Sequence, residues 1–195
     1  MQTSFDTIKS VIEQHSRERG HNAAMILKAL FYYLFQRPKA QHADTSPTNS
    51  ADLYRFLGRW YELARFDTPF EKGLEEVYTE YKVCEDGNIK ITNYGIDANH
   101  HRHEAHAMAY PTDQIGQLKV SFIPLLRFIN SPYNILHIDD CYMNALVSND
   151  SGSCLWFLSR RPVIVPESFN KLRHEAQHRG FDLHDLHFTR HRYHP

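Results

Sequence analysis

Eight short segments follow one another between residues 58 and 159, and this repetition restricts the fold more than any other feature. Most of them alternate apolar and polar residues, as a strand with one inward face does. Turn-forming residues separate them, including Asp86-Gly87, a dipeptide typical of tight hairpins. The pattern predicts a mainly β fold, an eight-stranded antiparallel up-and-down barrel. The predicted strands cover residues 58–66, 77–83, 89–95, 105–110, 118–122, 133–139, 145–149 and 155–159.

The first and last of these segments carry the residues expected to close the barrel. Gly58 and Trp60 open the first segment, and Arg160 follows the eighth. We expect the Arg160 guanidinium to lie over the Trp60 indole, a contact worth about 0.5–2 kcal/mol. This contact would bring the first strand beside the last.

Three short motifs resemble the signature of the lipocalin family. They are Gly58 with Trp60, Asp139 with Tyr142, and Arg160. The sequence is most similar to the branch of bacterial lipocalins and apolipoprotein D. This resemblance extends over residues 52–188. The resemblance implies a calycin barrel that carries a hydrophobic ligand, with these five residues serving structure at the base. It also implies a role in lipid handling at the cell envelope.

The chain divides into three predicted parts. Residues 1–37 form a helical extension, residues 38–51 a Pro- and Ser-rich linker without a packed face, and residues 52–195 the barrel with a C-terminal α-helix and tail. The helix is expected over residues 166–179, between Pro166 and Gly180. The apolar run at 23–35 is shorter than the ~20 residues that span a bilayer. We therefore expect peripheral attachment to a membrane, in the envelope or periplasm; cleavage of a signal-like extension during export and a cytoplasmic location are left open.

The side chains on one face of the strands are predicted to line a ligand cavity. Their apolar and aromatic character, with a few hydroxyls, suits an acyl chain with one polar end. Alanines at 105, 107 and 109 are expected to leave space, although the same residues would also fill a closed core. The predicted ligand-binding residues are Val77, Thr79, Tyr81, Ile91, Ala105, Ala107, Ala109, Val120, Phe122, Tyr133 and Ile135, and Ile89 and Leu118 share their face.

Composition excludes some functions and leaves others open. The formal net charge of −1 provides no broad basic surface for nucleic acid. The chain has 14 histidines, interpreted mainly as solvated surface residues. Cys84 and Cys141 are close enough in the predicted barrel to pair or to stay as thiols. Histidines cluster at 100, 101, 103 and 106, at 174 and 178, and at 184, 187, 191 and 194.

The resulting hypothesis is a carrier of a fatty acid, lysophospholipid or similar amphiphile, without catalytic residues, metal or cofactor. The alternatives are a haem-like planar ligand held near the mouth histidines and, from another class, a lipocalin-type isomerase. A homodimer is left open. Residues 122–129 are expected at the entrance, as a membrane or partner contact or as a lid.

Overall fold

The computed structural model describes residues 42–68, 71–122 and 130–192, and within them the predicted barrel is confirmed. These described ranges contain two helices and nine strands. Their bounds are α1 Leu53–Phe56, β1 Gly58–Phe66, β2 Glu75–Val83, β3 Ile89–Ile96, β4 Arg102–Pro111, β5 Gln117–Ser121, β6 Ser131–Ile138, β7 Asn144–Ser148, β8 Leu155–Ser159, α2 Pro166–His178 and β9 Leu186–Phe188.

The strands form one antiparallel sheet that closes on itself. Each of β1 to β7 pairs with the strand that follows it, and β8 pairs with β1, with Tyr61 opposite Ser159. Strand β9 adds to β1 beyond the point where the β1–β2 pairing ends, with Ala64 opposite Phe188. The closed barrel has two ends. We call the end at which β1 begins the base, and the end that carries the β1–β2 loop the mouth.

Helix α2 covers part of the outer wall. Pro166 occupies its first turn, where the missing N–H costs nothing, and Gly180 follows its end with a φ of +87°. Leu172 and Ala176 are buried and pack with Phe157 and other outward side chains of the barrel in a second apolar cluster. The interior cluster is separate, so the barrel wall has apolar contacts on both faces.

Residues 42–51, which we predicted to belong to a linker without a packed face, lie against the barrel and α2. The Asp44 N–H donates to the Arg179 carbonyl at 2.7 Å, and the Thr48 N–H to the Ile135 carbonyl at 2.8 Å. Ala51 is buried in the interior cluster. The prediction is therefore wrong for these residues, because wall and helix carbonyls take up their backbone N–H groups. The helical extension predicted for residues 1–37 lies outside the described residues.

Candidate functional site

The base of the barrel is sealed by the residues predicted to close it. The guanidinium carbon of Arg160 lies 3.9 Å from the centre of the Trp60 ring. The same guanidinium donates to the carbonyls of Arg59 and Arg55, each at 2.8 Å, and to that of Tyr142 at 3.3 Å. Trp60 has no exposed surface, and its indole N–H donates to the Phe56 carbonyl at 2.7 Å. Helix α1 is thereby fastened across the base.

Asp139 and Tyr142 shape the β6–β7 turn that supports Arg160. The Asp139 carboxylate accepts from the Met143 N–H at 2.7 Å and from the Asn144 amide at 2.8 Å. Tyr142 has a φ of +57°, unusual for a residue with a side chain, and its hydroxyl accepts from the Asp52 N–H at 2.7 Å. The turn is therefore tied to the segment that leads into α1.

Seven of the predicted ligand-binding residues are buried, and most of them belong to a packed floor rather than to open space. Ala107 and Ala109 are 2% and 0% exposed. They share an apolar cluster with the stacked rings of Phe56 and Trp60, so they do not border the open space that was expected beside them. The buried residues in this floor are Tyr81, Ile91, Ala107, Ala109, Val120 and Ile135, while Val77 is buried beside Gly95.

The other four predicted ligand-binding residues face inward but keep part of their surface exposed. An inward side chain that still meets solvent must border open space inside the barrel. Asn93 and Trp156 have the same property. We call the space bordered by these six residues the calyx; they are Thr79, Asn93, Ala105, Phe122, Tyr133 and Trp156.

The wall of the calyx is aromatic, with paired hydroxyls. The Tyr81 and Tyr133 hydroxyl oxygens lie 2.5 Å apart, and burial raises the pKa of both phenols. The ring centres of Tyr133 and Trp156 are 6.1 Å apart in a stacked arrangement. The Thr79 hydroxyl donates to the Asn93 side-chain oxygen at 2.7 Å. These neutral groups suit an apolar ligand with a few polar contacts.

A buried ion pair lies above the floor, toward the mouth. Glu62 and Arg65 are 3% and 0% exposed, and their side chains approach to 2.5 Å. Thr189, which follows β9, donates to Glu62 at 2.5 Å and lies 3.2 Å from Arg65. Arg65 also donates to the carbonyl of Glu71 at 2.7 Å. The whole guanidinium is thus enclosed by protein, which makes it a positioning group for the loop rather than a ligand contact.

Glu71 extends this polar cluster into the calyx. Its carboxylate accepts from the Trp156 indole N–H at 3.1 Å and from the Thr68 hydroxyl at 2.7 Å, and it remains partly exposed. Burial raises the pKa of Glu71 to about 7, and the Glu62 carboxylate contributes to the rise, whereas Arg65 opposes it. Glu71 is therefore a titratable group at neutral pH inside the barrel.

The histidines that the structure describes do not converge on one site. His103 is inward at the mouth, and its Nε2 lies 2.8 Å from the Asp97 carboxylate, a contact that lowers the pKa of Asp97 to about 2. His106 lies on the outer wall beside Glu104, and His174 and His178 lie on the exposed face of α2. Within the described ranges, no three or more His, Cys, Asp or Glu side chains are grouped to hold a metal ion.

Two further predictions concern the thiols and the entrance. Cys84 and Cys141 lie in base hairpins and do not form the disulfide that the sequence left open. Residues 123–129 of the predicted entrance segment lie outside the described residues. Across the ranges that the structure describes, no helix has both the length and the apolar character needed to cross a membrane.

Sequence reasoning missed Trp156 as a calyx residue, and it missed the polar cluster of Glu62, Arg65 and Glu71. Glu62 had a signal, because it shares the inward alternation of Trp60. Arg65 falls on the opposite phase, and only the bulge between Glu62 and Ala64 turns it inward. Glu71 lies in a loop, where alternation gives no direction.

Comparison with known proteins identifies the family. Residues 51–191 match the family model described as a lipocalin-like domain. The chain is 36% identical to the outer membrane lipoprotein Blc of Escherichia coli K12 over 138 residues, 69% of this chain and 76% of that protein. It is 30% identical to mouse apolipoprotein D over 166 residues, 77% of this chain and 85% of that protein.

Solved structures agree with this assignment at the level of the fold. The cockroach allergen Per a 4 superposes with a TM-score of 0.59 at 17% identity, covering 75% of this chain and 95% of that one. Lobster apocrustacyanin A1 gives a TM-score of 0.56 at 18% identity, covering 70% and 77%. With its closed eight-stranded barrel and its match over residues 51–191, the chain belongs to the lipocalin family, in the branch of bacterial lipocalins and apolipoprotein D.

Proposed function

We propose that this protein binds and carries an amphiphile with one acyl chain, a fatty acid, lysophospholipid or similar molecule, without a catalytic step. Membership of the lipocalin family implies a small hydrophobic ligand. The proposal rests on one observation: inward side chains near the base are buried, whereas those nearer the mouth are partly exposed. A sealed apolar floor lies under an inward wall of partly exposed aromatic side chains. Such a space accommodates a chain end-on and leaves its polar group toward the mouth.

The predicted ligand-binding residues keep this role in the proposal, divided by depth. Thr79, Ala105, Phe122 and Tyr133, together with Trp156, contact the ligand along its length. Tyr81, Ile91, Ala107, Ala109, Val120 and Ile135 form the floor on which its apolar end rests, and Val77 supports the wall near Gly95.

The relatives suggest where the protein works. Blc of Escherichia coli and Blc of Vibrio cholerae are outer membrane lipoproteins, and this chain is 37% identical to the second of them over 149 residues. The corresponding proposal is a role in lipid handling or membrane maintenance at the cell envelope. Peripheral attachment through residues 1–37 belongs to the same proposal. Liposome flotation of the full chain beside a version lacking residues 1–41 tests it, since only the full chain should float.

A blocked calyx provides the test of binding. Ala105 faces inward opposite Asn93 and is partly exposed, so Ala105→Trp should fill the calyx while the floor stays intact. We expect titration with the neutral fluorescent probe N-phenyl-1-naphthylamine to show at least tenfold weaker binding. Glu104→Trp is the matched control, because the neighbouring side chain points outward. Unchanged binding to a folded Ala105→Trp variant would contradict the proposed site.

The identity of the natural ligand requires a separate measurement. Native mass spectrometry of the purified full chain, followed by solvent extraction, should reveal a bound lipid with a single acyl chain. A haem-like pigment in the extract would instead support the planar-ligand alternative.

A further inference from the structure

The polar groups around the calyx are unequal in charge and in access. At the inward positions of the described strands β1 to β8, Arg65 is the only Lys or Arg. Its side chain has no exposed surface, and Glu62 lies 2.5 Å from it. A ligand in the calyx therefore cannot touch the one cation of this wall.

Glu71 differs from Arg65 because it keeps part of its surface exposed and hydrogen-bonds to a side chain that lines the calyx. Each of its carboxylate oxygens accepts one hydrogen bond from the protein, one from Trp156 and one from Thr68. A carboxylate oxygen has room for two donors, so each retains acceptor capacity. The carboxyl is next to the Trp156 ring that lines the calyx, at the height where the polar group of an end-on ligand would lie.

The other charged groups nearby do not reverse this sign. Asp67 lies 3.3 Å from Arg65 and adds negative charge. His103 at the mouth is held against the Asp97 carboxylate at 2.8 Å. Tyr81 and Tyr133 remain neutral phenols, since the pKa of each is raised. The charge that a ligand meets inside the described wall is thus the negative charge of Glu71.

We infer that the calyx selects amphiphiles whose polar group donates hydrogen bonds to a carboxylate, such as an amine or an alcohol, over those that end in a carboxylate, and that Glu71 makes this selection. The inference rests on the proposed carrier function and specifies the chemistry of its ligand. An ammonium or hydroxyl group would pair with the free acceptor positions of Glu71. A ligand carboxylate would meet a like charge there, and the inward residues of the described strands offer it no accessible Lys or Arg to compensate.

Three ligands of equal chain length test the inference in the full chain. Dodecylamine, dodecanol and dodecanoate, each below its aggregation concentration, compete with N-phenyl-1-naphthylamine at pH 8, where Glu71 is mainly ionised. We expect the amine and the alcohol to displace the probe at about tenfold lower concentration than dodecanoate, equivalent to about 1.4 kcal/mol. Equal affinities, or tightest binding of dodecanoate, would overturn the inference and leave the carrier function standing.

Variants then assign the selection to Glu71. Glu71→Gln has the shape of the protonated side chain, which the protein already tolerates near neutral pH, so it should fold as the wild type does by circular dichroism. In this variant we expect the preference for the amine over dodecanoate to fall to about twofold or less. Glu85→Gln removes the same charge from an exposed base hairpin and should leave the preference unchanged. A preference that persists in Glu71→Gln refutes the role of Glu71, whereas failure of the wild type to bind the probe or any ligand refutes the proposed function itself.

Discussion

The base and the mouth of the barrel accommodate charged side chains in different ways. At the base, Arg160 lies over Trp60 and donates to three carbonyls, and no carboxylate is needed inside. Toward the mouth, Glu62 and Arg65 are both enclosed, and Glu71 keeps a pKa near 7. A buried ion pair costs desolvation energy, and this pair lies toward the mouth, at the end where we propose that the polar group of the ligand is recognised.

The largest expected effect is the loss of the base closure. Trp60→Ala removes a fully buried ring and leaves the Arg160 guanidinium without its aromatic partner, so the free energy of unfolding should fall by about 3–5 kcal/mol. Urea unfolding measures the change. Tyr54→Ala is the control, because Tyr54 is 79% exposed in α1 and should be nearly neutral. Equal stability of the Trp60→Ala variant and the wild type would show that the base is not closed by this contact.

Removing the buried cation should cost slightly less. Arg65→Met keeps much of the side-chain volume but leaves the Glu62 carboxylate enclosed without its partner, at a cost of about 3 kcal/mol. The double variant Glu62→Gln with Arg65→Met removes both charges and should recover at least half of this loss. The same unfolding titration tests both variants. If the double variant is as unstable as the sum of its single changes, the cost does not come from an unpaired charge.

The third comparison places the same large side chain at two depths of one strand. Ala107 lies in the packed floor, so Ala107→Trp should overpack it and lower the free energy of unfolding by about 1–3 kcal/mol. Ala105→Trp enters the calyx and should change stability by less than about 1 kcal/mol. Thermal melts of the two variants, run side by side, measure the difference. Equal destabilisation would mean that open space does not begin between these two residues.

The smallest expected effect is a dependence on pH at the mouth. The folded-state pKa of Glu71, about 7, lies above its ordinary value of 4.5, so the folded protein binds more protons between these values. The Glu71 contribution to stability is therefore fully present below pH 4.5 and is lost as pH rises through 7. Because Glu71 is partly exposed, we expect a loss of about 1–2 kcal/mol.

Glu71→Gln isolates this contribution. Urea unfolding of both proteins is measured from pH 4 to pH 8.5. As the pH rises over this range, the free energy of unfolding of the wild type should fall by about 1–2 kcal/mol relative to that of Glu71→Gln. Glu85→Gln should follow the wild type throughout. Parallel curves for the wild type and Glu71→Gln would mean that the pKa of this carboxyl is not raised by burial.

The fold could be predicted from the sequence because its signals are local. Alternation within each segment and the short turns between segments define neighbouring strands without knowledge of the rest of the chain. The contact of Arg160 with Trp60 is not local, and its prediction depended on the family resemblance.

The candidate site could be predicted only in part, since alternation gives the face of a strand but not the depth along the barrel. Ala105 and Ala107 have the same phase, yet Ala105 borders the calyx and Ala107 lies in the floor. The polar cluster was missed for two further reasons. A bulge changes the phase of β1 before Arg65, and Glu71 reaches inward from a loop. Both require the three-dimensional register of the sheet.

The hydrogen bond between Thr189 and Glu62 joins residues 127 positions apart in the chain. A ribosome adds about 5–20 residues per second, so Glu62 is made roughly 6–25 s before its hydroxyl partner. During this interval β1 lacks β9, and for most of it also β8, so its edge is unpaired in the nascent chain. The polar cluster can therefore be completed only late in synthesis, after Thr189 has been added.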